Sequence, residues 1–252
     1  MWVRLRREMF ATTESCMQRM TFGGLDLAVI DPHERDTRYI YDEIFVSQIY
    51  DHPEMRIPKH AVIMDVGANI GLYCLWAQRR YQPRDIYCYE ASPRTFPYLS
   101  ANATSLVDPE ITRAHLFNRA LSRQSGQQLT LHQSPLVSGI STLLDRTKVR
   151  WVQGLTASGE IMTHEVVTST VSDELAANKI ESLDLLKIDV EGFFMEVLMG
   201  IAEPDFARIS NIVVEVDYAD QIGVSADDVE ALLATRGYRT DRHEDLFYAW
   251  RR

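Results

Sequence analysis

Two glycines in the stretch VIMDVGANIG (residues 62–71) form a turn directly after an apolar run that ends at an acid. Gly67 can adopt the positive φ that a tight turn needs, and Gly71 allows the backbone to approach a ligand or a strand closely. Asp65 could accept hydrogen bonds from a turn amide or from a ligand ammonium group, and a helix that begins near Asn69 favours a carboxylate. The turn lacks the lysine of a phosphate loop, and its DxGxxxG spacing differs from the GxGxxG of dinucleotide sites.

Polar residues also end the next two predicted strands. Glu90 closes IYCYE, 25 positions past Asp65, where an acid can bind both hydroxyls of a ribose. An isolated strand-end acid is more often a solvated cap, but its position one βαβ unit after a glycine turn favours binding. Asn118 and Ala120, in LFNRALS, could flank an adenine ring, although a strand-end Asn more often completes a turn.

A fourth strand end, LLKIDVEG, brings a lysine and two acids together. Lys187 and Asp189 point to the same face of a strand because side chains alternate along it. With Glu191 they lie in or beside the expected cleft, close enough to perturb one another's pKa values. An ion-paired strand end explains such a group equally well in an arbitrary protein. Beside the glycine turn, it becomes the candidate for acceptor binding or proton handling.

Alternating strand and helix patterns from residue 61 onward predict an α/β fold with a largely parallel sheet. The predicted strands are Ala61–Val66, Ile86–Glu90, His115–Ala120, Leu183–Val190 and Ile212–Val216. The predicted helices are Gly71–Arg80, one that follows the N-cap Ser92 and Pro93, Phe193–Gly200 and Ala226–Arg236. In open sheets of this kind ligands bind at the carboxyl ends of the strands, which is where the four polar groups fall.

Three segments depart from the alternating pattern. Between residues 127 and 171, QQLTLHQ and HEVVTSTV read as strands that flank a polar excursion. The tail GYRTDRHEDLFYAWRR predicts a hairpin that adds an antiparallel edge. Residues 1–60 are expected to form an appendage, with FGGLDLAVI as a hairpin and Thr37–Tyr50 as a helix, in front of one domain over residues 61–252.

Composition narrows the class of protein. The 252-residue chain is 46% hydrophobic and carries a formal net charge of −10, which argues against non-specific nucleic-acid binding. Its three cysteines, Cys16, Cys74 and Cys88, have no CxxC spacing, so core packing in a reducing compartment is expected. The basic start lacks a signal-peptide pattern, and no apolar run approaches a membrane span. A cytoplasmic protein without a membrane partner is the expectation.

The elements VIMDVGANIG, YCYEASP, LLKIDVEGFFMEVLMGI and NIVVEV, in this order, resemble the FkbM-type S-adenosylmethionine-dependent methyltransferases. The resemblance extends from about Tyr41 to Glu215. It implies a Rossmann-like class I methyltransferase fold, whose seven-stranded sheet is mostly parallel with an antiparallel last strand. It also implies methyl transfer, mostly to hydroxyl oxygens of sugars or natural-product intermediates such as polyketides and peptides.

By position, the resemblance assigns roles to particular residues. The implied cofactor-binding residues are Tyr50, Asp65, Gly67, Ala68, Asn69, Gly71, Glu90, Ala91, Ser92, Asn118, Ala120 and Asp189. The serine-rich SGISTL, with Ser138 and Ser141, resembles a wall of the family's acceptor pocket, and His52 is the histidine best placed to reach an acceptor. His115, His132 and His164 are weaker candidates, because single histidines are mostly surface or packing residues.

The expected chemistry is in-line methyl transfer, in which alignment and removal of the acceptor proton matter most. Asp189 or Glu191 is expected to orient or deprotonate the acceptor hydroxyl, with Lys187 tuning the pair. The acceptor is a small molecule, either free or tethered to a carrier protein. Acids at strand ends make a metal conceivable at Asp189, Glu191, Glu215 and Asp217, but no HxH, HExxH or CxxC spacing supports one, so none is predicted.

Other classes of function stay open at this point. A dehydrogenase would share the sheet and the ribose acid but requires a different glycine spacing. A nucleic-acid methyltransferase would need a basic stripe, which an acidic chain does not offer. A non-catalytic binding domain and a small-molecule N-methyltransferase are compatible with the same cofactor elements.

Overall fold

The computed structural model describes residues 17–30, 35–135, 139, 141–144, 161–218 and 223–251. The first elements are β1 (Arg19–Phe22), β2 (Leu25–Ala28), α1 (Arg35–Tyr41) and a π-helical segment (Asp42–Ser47). The middle elements are β3 (Val62–Val66), α2 (Leu72–Tyr81), β4 (Asp85–Tyr89), α3 (Phe96–Leu106), β5 (Arg113–Phe117), β6 (Ala120–Leu121), β7 (Gln128–Gln133), β8 (Ser141–Thr142) and β9 (Met162–Ser169). The last elements are α4 (Val171–Ala177), β10 (Leu185–Ile188), α5 (Phe194–Met199), a 3₁₀ helix (Glu203–Arg208), β11 (Asn211–Glu215), α6 (Ala226–Thr235), β12 (Arg239–His243) and β13 (Leu246–Trp250).

The central sheet has seven strands in the order β12-β13-β11-β10-β3-β4-β5. The neighbours from β11 to β5 are parallel, whereas β13 runs antiparallel to both β11 and β12. Strands β3, β4 and β10 are buried along their whole length, which explains why all but one residue of each is uncharged and mostly apolar. The predicted class I methyltransferase fold is therefore confirmed, including the C-terminal hairpin and its antiparallel last strand.

Side chains alternate between the two faces of this sheet. Ile63 packs on the face covered by α2, α3 and the N-terminal hairpin, and Met64 packs on the face covered by α4, α5 and α6. Cys74 and Cys88 are buried as free thiols on the first face, as predicted, while Cys16 lies outside the described residues. Each face is thus closed by helices, which leaves the ends of the strands as the place for a site.

Two predicted element ends are wrong. The strand predicted over His115–Ala120 stops at Phe117, and Ala120 starts β6, which pairs with β9 in a separate four-stranded sheet. That sheet, ordered β6-β9-β7-β8, contains the two strands predicted around the polar excursion. Ser92 does not cap α3, because its Oγ accepts the amides of Arg94 and Thr95 and so caps an intervening turn.

The described part of the N-terminal segment contains the predicted hairpin, but its helix ends early. At Asp42 α1 changes to the π-helical segment, and Gln48, in a left-handed conformation with φ 53°, ends it by donating its amide to Glu43 O. Side chains of this segment, such as Leu27 and Ile44, belong to the same core cluster as α2 and the sheet. The division at residue 60 stays a prediction.

Within the described ranges, no helix combines the length and apolar character needed to cross a bilayer.

Candidate active site

A cavity of about 820 Å³ opens at the carboxyl ends of β3, β4, β10 and β11. Gly67, Glu90 and Asp189 contribute to its lining directly after β3, β4 and β10, and Glu215 contributes as the last residue of β11. On the outer side, α1 and the π-helical segment present residues such as Glu43. All four segments singled out by the sequence therefore contribute to one cavity, the third of them through Ala120, and the end of β11 joins them.

The glycine turn is fixed against both neighbouring strands. Gly67 has φ +81°, and a Cβ atom there would lie 1.7 Å from the carbonyl oxygen of Asp189. On the other side, the amides of Gly67 and Ala68 both donate to Tyr89 O at 3.0 Å. Only glycine satisfies this conformation and this close approach together. The turn thereby sets the distance between the two halves of the cavity floor.

Glu90 is held by backbone amides at the end of β4, beside the glycine turn. Its two carboxylate oxygens accept the amides of Asn69 at 2.9 Å and Ser92 at 2.8 Å. Burial raises the pKa of Glu90 to about 7, although these two amides lower it. The carboxylate keeps further lone pairs that can accept hydroxyl groups, as binding of a ribose requires.

Lys187 is a buried cation, 2% exposed, under the cavity floor. Its Nζ lies 3.1 Å from Asp65 Oδ1 and 3.2 Å from Asp189 Oδ2, and it donates to Gly67 O at 2.9 Å. The ring of Tyr50 lies 5.3 Å from the same nitrogen. Burial opposes the charged form, but Asp189 and Asp65 outweigh it and raise the pKa of Lys187. Lys187 is therefore a permanent charge that ties β3 to β10.

Tyr50 connects the ends of β10 and β11. Its hydroxyl donates to Asp189 Oδ2 at 2.9 Å and lies 3.3 Å from Glu215 Oε2. Burial, and then the Asp189 charge, raise the pKa of Tyr50 well above its usual range, so it stays protonated. Asp189 Oδ2 thus has two donors, whereas Oδ1 makes no hydrogen bond to the part of the chain that the structure describes.

Carboxylates dominate the end of the cavity near β10 and β11. Burial, followed by the charge of Asp217, raises the pKa of Glu191. Burial, followed by the charge of Asp189, raises the pKa of Asp217 to about 7, although Asp217 accepts a hydrogen bond from the Gly192 amide at 2.9 Å, which lowers it. Burial, followed by Asp189, raises the pKa of Glu215 to about 9. Burial and mutual repulsion thus favour the protonated forms of these acids, which form a polar end of the cavity that differs from the Glu90 end.

Most of the predicted site residues line the cavity. They are Tyr50, Gly67, Ala68, Asn69, Glu90, Ala91, Ala120, Ser141, Lys187, Asp189 and Glu191. The Oγ of Ser141 is enclosed and has no hydrogen-bond partner within the described ranges. Ser138 lies outside the described residues.

Four of the predicted cofactor residues are placed behind the lining. Asp65 is fully buried against Lys187, and Gly71 is the N-cap of α2 with φ +93°. Ser92 is buried, and its Oγ bonds Gln133 at 2.7 Å. The exposed Asn118 donates its amide to Glu90 O at 2.9 Å. These four residues are not part of the cavity lining, and their contact with the cofactor stays a prediction. Asn118 bonds a backbone carbonyl, as an asparagine that completes a turn does.

His52 is placed away from the cavity. Its ring stacks on Tyr248 and Trp250, with centroids 4.7 and 5.2 Å away, and its Nε2 lies 3.1 Å from Asp241 Oδ2. It lines a separate hollow beside Arg80. The structure thus gives His52 a packing position on the C-terminal hairpin, outside the lining of the large cavity, and its contact with an acceptor stays a prediction.

The weaker histidine candidates are also outside the cavity lining. His115 pairs with Asp85 at 2.9 Å and stacks on Tyr87, while His132 and His164 belong to β7 and β9. Across the described ranges, no group of three or more His, Cys, Asp or Glu side chains has the arrangement of a metal site. The prediction that no metal is bound stays a prediction.

Several lining residues were not predicted. Tyr39, Ile40, Glu43 and Ile44 project from one face of α1 and the π-helical segment, and their i, i+1, i+4 and i+5 spacing was the available signal. Glu215 and Asp217 were predicted only as positions where a metal is conceivable. Glu215 ends the strand NIVVE and Asp217 lies two positions further, and this place at the strand end was the signal that they face the same cleft.

The cavity residues fit S-adenosylmethionine. Asn69 Oδ1 is enclosed and lacks a hydrogen-bond partner among the described residues, as an acceptor kept for a ligand would. The ten-residue helix α2 starts directly after the turn, so its N-terminus favours a ligand carboxylate. Glu90 suits a ribose diol, and Ala120 leaves room for a flat base. No phosphate-binding lysine is needed, because this ligand has no phosphate.

A parallel sheet with a reversed C-terminal hairpin, a glycine turn and a ribose acid together define a Rossmann-like S-adenosylmethionine-dependent methyltransferase. The chain belongs to the FkbM methyltransferase family, since the methyltransferase FkbM domain matches residues 65–240. S-adenosylmethionine is accordingly its cofactor.

Named relatives agree with this membership. Methyltransferase sdnD of Sordaria araneosa is 31% identical over 82% of this chain and 84% of its own length. The 31-O-demethyl-FK506 methyltransferase FkbM of Streptomyces tacrolimicus is 29% identical over 85% of this chain and 86% of its own. Hexuronic acid methyltransferase AglP of Haloferax volcanii is 27% identical over 73% and 68%, respectively.

Proposed function

We propose that this methyltransferase transfers the methyl group to a hydroxyl oxygen of a natural-product or sugar intermediate. The observation that carries the proposal is the state of Asp189 at the cavity floor. One of its carboxylate oxygens is fixed by Lys187 and Tyr50, while the other makes no hydrogen bond within the described ranges. A carboxylate fixed in this way is suited to accept a hydroxyl proton at a defined position.

The residues divide the cavity into two functional parts. S-adenosylmethionine, when bound, supplies an electrophilic methyl group. Gly67, Asn69 and Glu90 hold the cofactor at one end of the cavity, and the acids after β10 and β11 face the other end, where the acceptor enters. Asp189 packs against Gly67 where the two parts meet, so it would orient the acceptor hydroxyl and receive its proton as the oxygen–carbon bond forms and the methyl–sulfur bond of the cofactor breaks. Glu191 is the second candidate for this role because it lines the same end.

Two relatives support an oxygen acceptor by their names. One acts on 31-O-demethyl-FK506, a natural product, and another on a hexuronic acid, a sugar derivative. The polar end of this cavity, with its serine and several carboxyl groups, suits an acceptor that carries several hydroxyls. The acceptor is a small molecule, free or tethered to a carrier protein.

Mass spectrometry of candidate acceptors tests the proposal. Polyketide, peptide and sugar hydroxyl compounds are incubated with the protein and S-adenosylmethionine, each both free and attached to a carrier protein. We expect a product that gains one methyl group on oxygen, located by fragmentation, and about 100-fold less of it, or less still, with Asp189→Asn. Methylation on nitrogen in place of oxygen, or transfer unaffected by Asp189→Asn, would contradict it.

A further inference from the structure

We propose that Glu215 is a positioning residue that acts as a protonated acid: it donates a hydrogen bond to Tyr50, which in turn holds Asp189 in place. This inference rests on the proposed function of Asp189. It assigns to Glu215 the role of a proton donor, the opposite of the general-base role proposed for Asp189, although the Tyr50 hydroxyl contacts both acids.

The geometry around the Tyr50 hydroxyl carries the argument. A phenol has one proton to donate, yet this oxygen lies within 2.9 Å of one carboxyl group and 3.3 Å of another. The shorter contact takes the Tyr50 proton to Asp189 Oδ2, which also lies 3.2 Å from the ammonium group of Lys187. The contact with Glu215 is then favourable only if Glu215 carries a proton and donates it to the Tyr50 oxygen.

The surroundings of Glu215 favour that protonated form. Burial is the largest cause that raises its pKa to about 9, followed by the charges of Asp189 and Asp217, against which Lys187 acts. The other titratable or charged groups that interact with Glu215 or share its cavity end are Glu43, Tyr39, Glu191, Tyr218, Tyr248, Arg242 and Asp245. Acids outnumber the cations in this set, so ionisation of Glu215 adds repulsion.

A directional chain of hydrogen bonds follows, from Glu215 through Tyr50 to Asp189 Oδ2. It leaves Asp189 Oδ1 for the acceptor hydroxyl and prevents rotation of the carboxylate. When Glu215 loses its proton, Tyr50 faces two anions with one proton, and the hold on Asp189 weakens. Turnover should therefore fall as the pH rises through about 9.

Three variants separate this role from that of a base. Glu215→Gln keeps a donor to Tyr50, Glu215→Leu keeps only the volume, and Tyr50→Phe removes the link. We expect Glu215→Gln to retain kcat near neutral pH and to lose the alkaline fall. We expect Glu215→Leu and Tyr50→Phe to lose about tenfold or more in kcat with little change in the KM for S-adenosylmethionine. Tyr81→Phe, which also removes a buried hydrogen bond between a tyrosine and an aspartate, is the matched control and should keep kcat.

A spectroscopic readout needs neither an acceptor nor the cofactor. The infrared spectrum of the ligand-free protein should contain the C=O stretch of a protonated carboxylic acid that titrates near pH 9 and is absent from Glu215→Gln. An unchanged band in that variant, or a Glu215→Gln enzyme as slow as Glu215→Leu, overturns the proposal. If the wild-type protein transfers no methyl group while the band behaves as expected, the proposed function fails and the protonation of Glu215 stands.

Discussion

At the scale of single residues, the burial of Lys187 and its two carboxylate partners make it a structural cation and not a catalytic base. Buried lysines become bases when desolvation lowers their pKa, but here two carboxylates raise it. The ammonium group therefore cannot accept a proton during turnover. It orders the floor of the cavity by holding Asp65, Asp189 and the Gly67 carbonyl at 2.9–3.2 Å.

Asp189 and Glu191 should separate catalysis from cofactor binding. Asp189→Asn keeps the shape of the side chain but cannot take a proton, so turnover should fall about 100-fold or more, while affinity for S-adenosylhomocysteine changes little. Glu191→Gln should lower turnover by a smaller factor with the same pattern. Steady-state kinetics and calorimetry on the same preparations measure both quantities. Unchanged turnover in both variants would remove these acids from the mechanism.

At the scale of elements, the turn after β3 is the most constrained part of the site. Gly67→Ala combines an unfavourable positive φ with a contact against the backbone of Asp189, which cannot move without separating β3 from β10. We expect the free energy of unfolding to fall by roughly 3 kcal/mol or more. Denaturant titration measures the change.

Gly126→Ala is the control for that substitution. Gly126 has a similar φ of +75°, but a Cβ atom there meets open space. Gly126→Ala should lower the free energy of unfolding by only about 1 kcal/mol, because the positive φ is the sole source of strain there. Equal losses for the two variants would show that close packing of the strand ends does not matter.

The sequence predicts the elements that are decided locally. Fully buried strands such as β3 and β10 appear as apolar runs, and the glycines at 67 and 200 mark real element ends. Features that depend on distant residues were missed. The packing of His52 on the C-terminal hairpin and the approach of Glu215 to Tyr50 both depend on contacts distant in the chain, the second spanning 165 positions.

At the scale of the whole molecule, the cavity is built from segments spread along the described chain. Tyr50, Gly67, Asp189 and Glu215 come from four separate regions of the sequence and share one enclosed space. The N-terminal hairpin takes part, because Asn102 of α3 bonds both Ala28 and Ile70 O. The geometry of the site therefore depends on packing across the whole described core. Because the buried acids of the site change their pKa values on folding, they also contribute to the pH dependence of stability.

This coupling predicts how stability depends on pH. The pKa of Glu215 is raised in the folded state to about 9, against about 4.3 when unfolded, so the folded state binds more protons between these values. Its contribution to stability therefore falls as the pH rises through that window. Glu215→Gln removes this effect, so its Tm should exceed that of the wild type by more at pH 9 than at pH 5. A difference in Tm that stays constant or shrinks with pH would contradict the assignment.

The central claim is that the Gly67–Glu90 end of the cavity binds the methyl donor, and calorimetric titration with S-adenosylhomocysteine tests it most directly. The wild-type protein should bind one molecule per chain and show no comparable binding of NAD. Glu90→Ala should weaken the affinity by about 10- to 100-fold, because hydrogen bonds to a buried carboxylate are lost, and the exposed control Glu110→Ala should leave it unchanged. Absence of binding to the wild type, or an affinity that Glu90→Ala does not alter, would contradict the account.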